Sequence, residues 1–131
     1  MRKLRGSRKD QGSAAVEFAL VLPVLLLIIF AIIDFGRMLN ARIVLSQAAH
    51  EGARAVEITS DPADAEARID MALGSLAGGL TGQTIVGCDA SPDATVTLTY
   101  RFDYVTPLAI LGGFGDESGT TMTATAVVPC L

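Results

Sequence analysis

Few side chains in this 131-residue sequence are of types that carry out chemistry at neutral pH. It holds one histidine, His50, and two cysteines, Cys88 and Cys130. Nucleophilic catalysis of the Ser/His/Asp kind would have to use His50, and nothing points to an activated serine beside it. His50 and Glu51 are adjacent, so on a helix they point about 100° apart. With no second histidine to join them, no metal set is expected, and neither is a catalytic residue or a cofactor. Two other chemistries are open to these residue types. Cys88 and Cys130 can oxidise to a disulfide. Glu17 heads a run, residues 18–33, that contains no charge at all, and a carboxylate in that place calls for a reason.

The run that Glu17 heads is of membrane grade. As a helix, residues 18–33 span roughly 24 Å, and starting at Ser13 extends this to about 31 Å, against a hydrocarbon core of about 30 Å. Pro23 would break a soluble helix; in lipid it is tolerated, with a kink expected. A removable secretory signal is a poor fit, because the run is long and exits into Asp34-Phe35-Gly36-Arg37 with no small-x-small site. Five basic residues, Arg2, Lys3, Arg5, Arg8 and Lys9, precede Gly12, which places the leader in the cytoplasm and everything after Ile33 outside. The leader has one acid, Asp10, while the rest of the chain sets five arginines against thirteen acids, a formal −8. An acidic outer domain speaks against nucleic acid. Both cysteines fall on the exported side, where an even pair points to a disulfide rather than a metal site.

Beyond the run the helical pattern continues to about residue 58. Ala41, Leu45, Ala48, Gly52 and Ala55 recur on one face, beside a polar face of Asn40, Gln47, Glu51 and Arg54. Asp34/Arg37 and Glu51/Arg54 stand i,i+3, and Asp34 with Arg37 reads as a helix-surface pair at the outer interface. Thr59-Ser60-Asp61-Pro62 should break the helix, with Asp61 or Ser60 capping a second one over residues 63–76 that ends at Gly78-Gly79. Its apolar side is Ala65, Ile69, Ala72, Leu73 and Leu76. A short strand is expected at 84–86 and a turn at 89–93. Residues 95–105 alternate as a half-buried strand, with Val96, Leu98, Tyr100, Phe102 and Tyr104 as core positions. Pro107 closes it, an apolar bridge follows at 108–111, and 112–119 reads as a glycine- and acid-rich loop. The last strand, 121–128, turns Met122, Ala124, Ala126 and Val128 to one side.

Gly12-Ser13-Ala14-Ala15-Val16-Glu17 between a basic leader and an apolar helix is similar to a type IV prepilin. The wider set is more specific: residues 12–23, ending at Pro23, then Asp34-Phe35-Gly36-Arg37, then residues 47–55, resemble the TadE-like family of minor pilins, or pseudopilins, of the tight-adherence (Tad) pilus. The likeness is close over residues 12–56 and weaker at Tyr104-Val105-Thr106-Pro107-Leu108 and the last strand. It implies cleavage after Gly12 by a prepilin peptidase, which makes Ser13 the first mature residue and Glu17 the fifth. A glycine suits that role because it imposes no side chain on the extended backbone a protease needs; an ordinary linker is the plainer reading. Glu17 would then partner the new ammonium of a neighbouring subunit and fix axial register, the alternative being a tolerated interfacial carboxylate. Pro23 is either a tolerated kink or a point where the helix bends in assembly.

The expected architecture is α+β and type IV pilin-like: a long N-terminal helix, half transmembrane, then a second helix and a small antiparallel sheet stapled by Cys88–Cys130. The divisions are a cleaved leader (1–12), a transmembrane helix (13–36), its periplasmic extension (37–58) and a small periplasmic domain (59–131). Implied partners are other pilins and pseudopilins of the same pilus, the prepilin peptidase, the inner-membrane assembly platform and the lipid bilayer. The implied location is the bacterial inner membrane, single-pass, with entry into an extracellular pilus left open. The rival reading is an uncleaved, signal-anchored periplasmic binding or adhesion module.

Overall fold

A computed structural model describes residues 8–106 and 119–131, with side chains from Gly12 onward. Most of the leader, Pro107, the bridge at 108–111 and the loop up to 118 lie outside the described residues. Helix α1 runs over Arg8–Thr59 without interruption at Pro23, about 78 Å at 1.5 Å per residue. Pro23 has no N–H, so the Ala19 carbonyl one turn earlier lacks its helical donor. Every side chain from 12 to 33 is exposed or only partly covered, and the first buried one is Asp34. Over 12–33 the helix is long and apolar enough to cross a membrane, and the rest of the fold covers none of its most apolar window.

From Ala41 onward the same helix becomes one wall of a domain. Ala41, Leu45, Ala48, Ala49, Gly52, Ala53, Ala55 and Val56 are buried, while Asn40, Gln47, Glu51 and Arg54 face out. The small residues let the neighbouring elements come close. A Cβ on Gly52 would lie 2.6 Å from Ile69 Cγ1 and 2.7 Å from its Cδ1, so glycine there sets the spacing between α1 and the second helix. Helix α2, Pro62–Leu73, starts as its sequence asks: Asp61 Oδ1 accepts from the Ala63 N–H at 2.9 Å, with Pro62 in the first turn. It ends earlier than the glycine pair suggests. Gly74 takes φ +54°, its N–H bonds to the Asp70 carbonyl, and the chain tightens into a 3-10 segment, Gly74–Gly79. Gly79 then passes under Tyr100, whose Cε2 would be 2.4 Å from any added Cβ.

Three strands follow, β1 (Leu80–Val86), β2 (Asp93–Phe102) and β3 (Thr120–Pro129), paired antiparallel in the order β1-β2-β3. The alternation of β2 is realised: Ala94, Val96, Leu98 and Phe102 are buried and the threonines between them are half-covered. In β3, Met122, Ala124, Ala126 and Val128 turn inward, as expected from their spacing. Strand β1 is four residues longer at its start than its sequence suggests, because an edge strand is set by pairing, and 81–84 are exposed with no alternating pattern to announce them. Helix α1 packs across β2 and β3, and α2 packs on α1 with Ile69 and Leu73 reaching the same core. Leu45, Ile69, Leu73, Val96, Leu98 and Ala126 form its centre, and fully burying a leucine or isoleucine there is worth about 1.5–3 kcal/mol. A smaller distal cluster of Ala55, Val56, Ala65 and Ala94 packs against the Cys88–Cys130 bridge.

Candidate functional site

The candidate residues lie at three heights along α1. At the base, Gly12, Ser13, Glu17 and Pro23 are all exposed on the helix surface. Among the described residues the ion pairs are Arg37–Asp34 and Arg101–Asp103, so Glu17 has no charged partner there. A carboxylate near one end of the apolar run can reach toward headgroups, so it costs less than the roughly 2.5–3.5 kcal/mol of a charge at mid-bilayer. Its position leaves it available to a charge from outside the described fold.

At the middle height the structure corrects one expectation. Asp34 is not a surface residue: it is 4% exposed. Its Oδ1 accepts the Val105 N–H at 3.3 Å, and its Oδ2 accepts from the Thr106 hydroxyl. Arg37 is indeed its i,i+3 partner, at 3.7 Å, and the same guanidinium lies 5.2 Å from the centre of the Phe102 ring. Phe102 in turn meets Tyr104 edge to face, with centroids 5.5 Å apart, and the Tyr104 hydroxyl is 2.6 Å from Thr120 Oγ1. The first residue past the apolar run is therefore a clamp that binds the end of β2 to the helix. That is why β2 stops at Phe102 rather than reaching Val105: residues 103–106 leave the ladder to reach Asp34. Among the described residues no ion pair joins Glu51 to Arg54, the other i,i+3 pair.

At the far end, Cys88 and Cys130 form a disulfide with Cα atoms 5.8 Å apart, closing a separation of 42 residues. The bridge ties the end of β3 to the turn after β1, and the Cys130 N–H donates to the Pro92 carbonyl at 3.0 Å. His50 is exposed and borders a shallow hollow with Glu51, Arg54, Glu57, Ile58, Val128 and Leu131. Among the described residues no three His, Cys, Asp or Glu side chains converge as metal ligands. What the arrangement offers is an apolar helix surface that the rest of the fold leaves uncovered and a domain joined to that helix by the Asp34 bonds.

Of the residues that stand out in the sequence, Cys88 and Cys130 are joined as their pairing suggests, Gly12, Ser13, Glu17 and Pro23 lie exposed along α1, and the Asp34 clamp has no sequence signal. The Asp-Phe-Gly-Arg exit and the Tyr-Val-Thr-Pro segment were both visible as motifs. Nothing local says that they touch.

Residues 12–54 match the family model described as TadE-like protein. The match covers the helix from the glycine to the middle of the domain-packed half, about a third of the chain, and leaves α2 and the sheet outside. No curated protein and no solved structure matches this chain.

Proposed function

We propose, from the TadE-like character of residues 12–54, that this chain is a minor pilin or pseudopilin in the biogenesis of a Tad pilus serving surface adhesion or secretion. In this reading it is made as a precursor, cut after Gly12 by a prepilin peptidase and held in the bacterial inner membrane by residues 13–36. Its domain faces the periplasm, and it associates with other pilins of the same system on the assembly platform. The role is structural, and the chain supplies no catalysis.

The observation that carries the reading is the coincidence of two independent things on one helix. The family match starts at Gly12 and contains Ser13, Glu17, Pro23 and the Asp34 exit. The same helix is bare of tertiary cover over 12–33 and buried along one face from Ala41 onward. A half-bare, half-packed helix suits a subunit that waits in lipid and packs its bare half against other subunits. Glu17, exposed and without a charged partner among the described residues, is free to meet the ammonium of a neighbouring Ser13.

Glu17 substitutions test this assembly role. Glu17→Ala should insert in the membrane as well as the native chain or better, since an intramembrane charge is removed, and should still be processed, because Gly12 is unchanged. Co-purification with other pilins and pilus output should fall. Glu17→Gln keeps the shape, loses the charge and should fail in the same way. Full assembly by both variants would refute the pairing assigned to Glu17.

A further inference from the structure

The apolar surface of this chain does not stop where the spanning run ends. Past the exposed Ile32 and Ile33, Phe35 is still 62% exposed and Leu39 49%. Val105, whose N–H is held on Asp34, is 70% exposed beside the same turn. Phe35 and Leu39 share one helix face by their i,i+4 spacing, and Val105 sits at the neighbouring Asp34 side. Among the described residues they form an apolar patch at the end of the domain nearest the span, beside the partly exposed Arg37, and such a patch marks a contact.

Height along the helix identifies what covers it. Asp34 is the first charge after residue 17, so it marks the outer edge of the hydrocarbon. A rise of about 1.5 Å per residue puts Phe35 about 1.5 Å and Leu39 about 7.5 Å beyond Asp34. The headgroup layer is about 5–7 Å deep on each side of the core. Phe35 therefore lies within it and Leu39 at its outer margin, and the hydrogen bond to Asp34 holds Val105 at the same level. Ile43, about 15 Å beyond Ile33, clears the layer. An aromatic ring at this depth fits the preference of such side chains for the interface.

We infer that Phe35, Leu39 and Val105 form a second, non-spanning contact with the bilayer, so that the domain rests on the phospholipid headgroups instead of standing clear on its helix. This rests on the reading of 12–33 as a membrane span. The surface is continuous with that span, and the Asp34 bonds to Val105 and Thr106 keep the two parts of the contact at one height. Before assembly, the contact fixes the tilt at which the domain is presented to neighbouring subunits.

The chain has no tryptophan, so one introduced indole reports its own surroundings. Phe35→Trp and Val105→Trp test the contact, and Ile28→Trp tests the span. Ile58→Trp, at a position 71% exposed near the far end of α1, is the aqueous control. Each full chain is reconstituted in phosphatidylcholine–phosphatidylglycerol vesicles with a nitroxide on the headgroup or bromine on the acyl chain. The headgroup nitroxide should quench most of the emission from the indoles at positions 35 and 105 and spare the one at position 58. Acyl bromine should quench the indole at position 28. If Ile28→Trp is quenched by lipid but Phe35→Trp and Val105→Trp respond only to aqueous acrylamide, the domain stands off the bilayer, and the inference fails while the span holds. If Phe35→Trp and Val105→Trp are shielded from both acrylamide and lipid quenchers, protein covers the patch and the inference fails equally. An Ile28→Trp chain that no lipid quencher reaches overturns the span reading itself.

Discussion

Removing the Asp34 carboxylate tests whether the clamp joins the domain to its helix. In Asp34→Ala two acceptor oxygens disappear from a site that is 4% exposed. The bonds lost come from the Val105 N–H and the Thr106 hydroxyl. Hydrogen bonds to a charged group are worth about 1.5–3 kcal/mol each when buried, but Val105 is exposed and water can replace its share. The Arg37 side chain is 46% exposed, so the ion pair adds at most about 1 kcal/mol. The sum is about 2–3 kcal/mol. Asp34→Asn keeps an acceptor and should lose about 1 kcal/mol, most of it the ion pair. Thr106→Val removes one donor and should cost about 1–2 kcal/mol. Urea unfolding in micelles gives these values, and hydrogen exchange over 103–106 should rise in Asp34→Ala before exchange elsewhere. In a double-mutant cycle, Asp34→Ala and Thr106→Val together should cost less than the sum of the two. Additive losses, or a loss below about 0.5 kcal/mol for Asp34→Ala, would show that the clamp does not hold.

Gly52→Ala should destabilise the domain although alanine is the better helix former by about 1 kcal/mol. The new methyl meets Ile69 at 2.6 Å, and overpacking of this kind costs about 1–3 kcal/mol; a rise in the urea midpoint would show that α2 can retreat. Free-thiol labelling of denatured, unreduced protein should find neither Cys88 nor Cys130. Reduction should cost up to about 4 kcal/mol in the chain-entropy model, and full labelling of both would remove the bridge from the account.

The parts legible in the sequence are those governed by short-range rules. The apolar run is a one-dimensional signal, and residues 12–33 are bare as it implies. The Asp61 cap and Pro62 start are fixed by neighbours two residues apart. The alternation of β2 and β3 reports a sheet with one covered face. The parts that were not legible depend on distance. Asp34 meets Val105 and Thr106 across 71 and 72 residues, so its helical neighbour Arg37 was the only partner the sequence could suggest. The early end of α2 turns on Gly74 adopting a positive φ, whereas the Gly78-Gly79 pair looked like the stronger stop. For the functional segment the limit is of another kind. Gly12, Ser13 and Glu17 act, in this account, on a peptidase and on other subunits, so their own fold gives them no partner to display.

Processing is the claim on which the rest depends, and intact mass with N-terminal sequencing of membrane-extracted protein measures it. The mature chain should begin at Ser13, and a bulky residue in place of Gly12 should leave the precursor uncut and twelve residues longer. Assembled protein that begins at Met1 or Arg2 would contradict it and favour an uncleaved, signal-anchored module.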